Sequence, residues 1–108
     1  RIIGRTNWRL AGLKEAISDD TLPTIELLCG MDEETFYGPG SGLFYAMSRY
    51  LLYYLQENNQ LRKYYKAFHK ARRKDPGGYA TLKEILSEKD MGTFQKSWQA
   101  WVMKLQFP

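Results

Sequence analysis

One cysteine and one histidine stand among the 108 residues of the chain, too few for most metal centres or nucleophile–base pairs. A single cysteine excludes an internal disulfide, and the redox compartment cannot be read from it. Flanked by Leu27, Leu28 and Met31, Cys29 reads as a small buried hydrophobe. A zinc hydrolase needs about three protein ligands and an open position for water, which one histidine does not supply. His69 has no carboxylate three or four residues away on a helix, so it reads as a surface or groove histidine. Cys29 or any serine would compete for that same unsupported imidazole as its base.

Long apolar runs are missing as well. The longest, Leu43 to Leu55, contains Ser48 and Arg49 and falls short of the roughly 20 residues that span a bilayer. No stretch alternates with period two for long enough to suggest a sheet, and there is neither an internal repeat nor low-complexity sequence. The glycines of Gly38-Pro39-Gly40-Ser41-Gly42 lack the Lys-Ser or Lys-Thr of a phosphate-binding loop and follow no strand, so they read as a flexible approach to a helix. Asp32, Glu33 and Glu34 are consecutive and would point in different directions, which suits helix capping better than cation binding. The chain begins at Arg1 with no initiator methionine and no signal peptide, and therefore reads as an excised piece of a larger protein.

What remains is rich in helix-forming pattern. With 44% hydrophobic and 15% aromatic residues there is enough apolar surface for one core, and disorder is not expected. Residues 1–108 are therefore expected to fold as one all-α domain, a compact bundle of about five to six helices with an aromatic-rich core. Asn7 should cap a helix carrying Trp8, Leu10, Leu13 and Ile17. Pro23 should open a second that Gly30 closes in the left-handed conformation, with Ile25, Leu27 and Leu28 as its apolar residues. A short turn is expected at Asp32-Glu33-Glu34. Ser41 should cap the central helix, where Leu43, Met47, Tyr50, Leu51, Tyr54 and Leu55 recur at spacings of three and four. A third long helix should run from Leu61 to about Lys74, ended by Asp75-Pro76-Gly77-Gly78. Tyr79 to Leu86 and a final helix, capped by Asp90 or Thr93, complete the set; Phe94, Trp98, Trp101, Val102 and Leu105 share one face of the last. Aromatics at this spacing read as core rather than pocket.

The charge is uneven. Residues 1 to 34 hold four basic and seven acidic side chains, whereas the remainder holds twelve and five, which raises the question of an acidic partner. Lys63, Lys66, Lys70, Arg73 and Lys74 follow steps of about three and four, with Arg62 and Arg72 beside them, and form a positive face on one helix. Such a face could contact an acidic partner through phosphate-type interactions, but opposite Leu61, Tyr65 and Phe68 it reads first as the solvated side of an amphipathic surface helix.

Tyr45-Ala46-Met47-Ser48-Arg49-Tyr50-Leu51-Leu52-Tyr53-Tyr54-Leu55 resembles a helix that follows the zinc site in gluzincin-type metallopeptidases, especially a bacterial family of unknown function related to peptidase MA. Leu61-Arg62-Lys63-Tyr64-Tyr65, Tyr79-Ala80-Thr81-Leu82 and Phe94-Gln95-Lys96-Ser97-Trp98-Gln99-Ala100-Trp101 look like the pieces that come after it, and Asn7 to Leu28 looks like the segment before it. The family's His-Glu-x-x-His and downstream glutamate ligand would precede Arg1, and no residue here matches them. The resemblance thus implies a C-terminal helical subdomain with no catalytic residue, metal ligand or cofactor of its own. It would support the wall of the zinc-site cleft in an exported bacterial parent, and its partner would be the upstream catalytic region. The competing expectation is a freestanding module that binds nucleic acid or a peptide through the basic helix or an aromatic groove; nucleic acid is the less expected partner.

Overall fold

A computed structural model describes residues 7–105, which form seven helices and no strand. In chain order these are α1 (Asn7–Ser18), α2 (Ile25–Gly30), α3 (Glu33–Phe36), α4 (Ser41–Glu57), α5 (Leu61–Ala71), α6 (Tyr79–Ile85) and α7 (Met91–Lys104). The fold is all-α, and α3 is the single turn expected after Asp32. The side chains of Asn7 and Trp8, expected as cap and first apolar residue, lie outside the described residues.

Side-chain caps set several of the starts. Thr24 accepts a hydrogen bond from the Leu27 amide at 3.1 Å, and Asp32 accepts one from the Thr35 amide at 2.8 Å. Asp90 serves both Gly92 and Thr93 amides and also accepts from the Thr93 hydroxyl, so Asp90 is the cap and Thr93 its ligand. Four local expectations are corrected. α2 opens at Ile25 behind a Thr24 cap rather than at Pro23, whose carbonyl accepts from Gln95 of α7, the same side chain that takes the Ile25 amide. Gly30 is the last helical residue rather than a left-handed cap, because Met31 continues in extended conformation toward α3. Gly40, at φ +88, starts α4 in place of Ser41, and a β-carbon there would lie 3.2 Å from the Phe44 ring. Finally, α5 stops at Ala71, whose carbonyl accepts from both Lys74 and Asp75 as the chain tightens into a turn.

The central position of α4 follows from its broad apolar surface. α1, α3, α5 and α7 all pack on it, while α6 rests on α5 and α2. Leu13, Ile25, Met47, Tyr50, Leu55, Leu82, Trp98 and Val102 are fully buried. The Trp98 indole N–H donates to the Tyr50 carbonyl at 3.3 Å, using the acceptor capacity that the helical ladder leaves on that oxygen. Tyr54 is held between the Phe94 ring at 5.5 Å and the Trp101 ring at 5.1 Å, both edge to face. Lys14 of α1 reaches the Leu105 carbonyl at the end of α7, closing the bundle on its far side. Leu27, by contrast, is 59% exposed and contributes nothing to the core side of α2.

Truncating Trp98 to alanine removes the largest fully buried side chain and leaves the cavity behind, a loss of about 3–5 kcal/mol. Against a total stability of about 5–15 kcal/mol, Trp98→Ala should melt far below the wild type or fail to fold. The half-buried Trp101 serves as the comparison, and Trp101→Ala should cost less. Equal denaturant midpoints for Trp98→Ala and the wild type would contradict this placement of the indole.

Candidate functional site

α5 turns Leu61, Tyr64, Phe68 and Ala71 toward its neighbours, yet none of its residues is fully buried. Lys63, Lys66, Lys70, Arg73 and Lys74 are all exposed on the outer side of the helix and of the turn that follows. Tyr65, expected with the apolar residues, is 50% exposed because it lies at the border between the packed and cationic faces. His69 is exposed too, and Arg72 folds back over it, donating to the His69 carbonyl at 2.7 Å.

Seven cations and no carboxylate lie between Leu61 and Lys74. Among the described residues no ion pair engages Lys63, Lys66, Lys70, Arg73 or Lys74. Like charges at Arg62–Lys66 and Lys66–Lys70 repel by about 0.2–0.5 kcal/mol each. The first turn of α5 holds no acid, so Arg62 and Lys63 also oppose the helix dipole. Mixed charge would solvate this face equally well and without those penalties.

A second cluster forms where the Asp75-Pro76-Gly77-Gly78 turn meets α2, α5 and α6. The Asp75 carboxylate accepts from both the amide and the hydroxyl of buried Thr81, each at 2.7 Å. It therefore supplies the cap that Gly78, at φ +79, cannot. A β-carbon on Gly77 would stand 2.2 Å from the Cys29 carbonyl, and one on Gly78 would stand 2.3 Å from the Tyr64 hydroxyl. That hydroxyl donates to the Gly78 carbonyl at 3.2 Å. A recess of about 440 Å³ opens here, lined by Glu26, Cys29, Met31, Asp75 and Tyr79 among others. Burial, and then the nearby Asp75 charge, push the Cys29 thiol up to about 11. Burial likewise pushes the Tyr64 hydroxyl up to about 12. At neutral pH the thiol is protonated, and His69 is not among the residues of the recess.

The other sequence candidates resolve into structure. Asp32 caps α3, with Glu33 and Glu34 in its first turn. Tyr50 is buried, and Tyr53, Tyr54 and Trp101 pack against the core around it. A shallow groove of about 270 Å³ between α1 and α4 has Leu13, Ala16, Leu43 and Ala46 on its floor, with Arg9, Glu15 and Asp19 at its rim. Sequence periodicity does not reveal this groove, since it exists only where Gly12 and Gly42 leave space between two helices. Among the described residues no three His, Cys, Asp or Glu side chains are grouped to hold a metal ion, and no helix is long and apolar enough to cross a membrane. No family model, curated protein or solved structure matches the chain.

Two measurements check the turn cluster. Burial raises the Asp75 carboxyl, but the hydrogen bonds from Thr81 and the first amides of α6 outweigh it and hold the group below the usual carboxylate range. A depressed folded-state value contributes stability above the unfolded value of about 3.9 and loses it as pH falls through the folded one. Thr81→Val should therefore lose about 1–3 kcal/mol at pH 7, and the gap to wild type should narrow below about pH 4. A gap unchanged at pH 3 would remove the carboxylate from this account. For Cys29, alkylation of the native protein near pH 8 should be more than about tenfold slower than after unfolding, because the thiolate fraction is so small. Equal rates would show an open, ordinary thiol.

Proposed function

We propose that this chain is a non-catalytic helical subdomain of a metallopeptidase-like protein, packed beside the zinc-site cleft of an upstream catalytic region. The observation that carries this reading is where the residues of the resemblance fall. Tyr50, Leu51 and Leu55 are buried in α4, and Phe94 and Trp98 are buried in α7, so the shared pattern is a packing pattern. A family likeness made of core positions describes a body that supports a site rather than the site itself. The Cys29 thiol, pushed up to about 11 by burial, is correspondingly little ionised near neutral pH.

A supporting subdomain also needs a surface that meets its parent. Tyr37 is 73% exposed and Tyr45 is 43% exposed, on either side of the Gly38–Gly42 loop. Tyr45 lies beneath the Arg9 guanidinium, 4.2 Å from ring centroid to Cζ, beside the α1–α4 groove. An exposed tyrosine next to an apolar-floored groove is suited to burial against another folded region, and Tyr37 adds a second exposed aromatic just before the Gly38–Gly42 loop. This face, rather than the cationic face of α5, is assigned to the upstream region.

The reading is tested in a longer chain that includes the upstream reading frame, by metal analysis and hydrolysis of an unfolded protein substrate. That chain should hold stoichiometric zinc and cleave the substrate. The double substitution Tyr37→Ser and Tyr45→Ser should lower kcat while this domain keeps its own fold, as reported by its tryptophan fluorescence. An upstream region without zinc, or full activity after deletion of residues 7–105, would reject the supporting role.

A further inference from the structure

α5 carries more positive charge than solubility requires, and all of it on the side away from the core. Its outer face takes in roughly a third of the helix circumference over ~16 Å, set by eleven helical residues, and the following turn extends it. Lys66 and Lys70 form the crest, Arg62 and Lys63 the near end, Arg73 and Lys74 the far end, and every one of them is exposed. No carboxylate interrupts the run before Asp75, which is committed to Thr81. A one-signed surface of this kind is complementary to a polyanion.

The shape of the face selects among polyanions. Single-stranded nucleic acid is held in grooves with free aromatic faces on which bases stack. Here the face is convex, and Tyr64 and Phe68 are stacked on each other 6.1 Å apart and half-buried under the Gly78 turn. In the groove of a duplex, the crest would present Lys66 and Lys70 to base edges, where lysine offers a hydrated point charge in place of a bidentate fork. A plane of phosphate headgroups needs neither stacking nor a fork, and long lysine and arginine side chains on a convex helix can all reach one plane. Tyr65 stands half-exposed at the border of the face, the level at which tyrosine sits at a membrane–water boundary.

We propose that the outer face of α5 is a docking surface for an anionic phospholipid bilayer. Contact is peripheral and Coulombic, because the apolar side of α5 is spent on α4 and α6 and no aliphatic side chain stands on the cationic face to enter the acyl region. This inference rests on the charge and shape of α5 alone and holds whether or not the domain supports a peptidase.

The test is cosedimentation of the full chain with vesicles of phosphatidylcholine alone or mixed with phosphatidylglycerol. At about 0.01 M salt, where screening extends over about 30 Å, the protein should pellet with the mixed vesicles and stay in solution with the neutral ones. At about 1 M salt, with a screening length of about 3 Å, it should be released. Lys66→Glu, Lys70→Glu and Arg73→Glu together should lower partitioning more than about tenfold, since each cation near an anionic surface contributes measurably. Circular dichroism should show the triple variant folded; if it is not, Lys66→Gln with Lys70→Gln takes its place and should show a smaller loss of the same sign. Equal binding to neutral vesicles, or partitioning unchanged in the folded variant, would overturn the proposal. So would duplex DNA that, at matched phosphate concentration, strips the protein from the mixed vesicles, which would make α5 a nucleic-acid surface.

Discussion

The indole of Trp98 is the constraint on which the rest of the bundle depends. It is the bulkiest of the fully buried side chains, and it carries a polar hydrogen that must find an acceptor where no water reaches. The Tyr50 carbonyl provides one, so α7 is fixed against α4 in translation as well as orientation. Phe94 one turn before and Trp101 one turn after then close on Tyr54 from two sides. α1 packs on both α4 and α7, and therefore inherits its place from a pair that is already locked.

A second fixture lies at the Asp75-Pro76-Gly77-Gly78 turn, and it works by closeness. Two successive glycines let backbone approach the end of α2 and the Tyr64 hydroxyl at distances that no β-carbon would tolerate. Partial burial beside the turn pushes the Cys29 thiol up to about 11 and the Tyr64 hydroxyl up to about 12. The thiol is thereby a weaker nucleophile near neutral pH than an exposed cysteine. Two outer faces carry the contacts proposed above: Tyr45 beside the α1–α4 groove, and the cations along α5.

Those faces were legible to different degrees. The positions of Lys63, Lys66, Lys70, Arg73 and Lys74 on one exposed side follow from helical periodicity and were readable in advance. Their lack of carboxylate partners was not, because an acid from any other element could have folded over them. The half-exposure of Tyr65 was not readable for a related reason: it stands at the edge of the apolar arc, and only the reach of α4 and α6 decides whether an edge position is covered. Gln95 left no signal at all. A glutamine on a helix surface is unremarkable until the start of α2 is brought within 3.0 Å of it.

By itself the sequence determined that the chain is all-α, where most helices lie, and that α4 would be the one surrounded, since each of these rests on contacts between residues three or four apart. It also marked a cap near Asp32 and narrowed the last one to Asp90 or Thr93, because a cap and its amides are neighbours in the chain. Only the tertiary structure decided that Asp75 caps α6 from six residues before Thr81, that Gly40 rather than Ser41 opens α4, and that Cys29 lies against a turn some forty-odd residues away. These outcomes depend on which segments converge, and convergence is set by packing the whole apolar surface at once, a sum to which no local window has access.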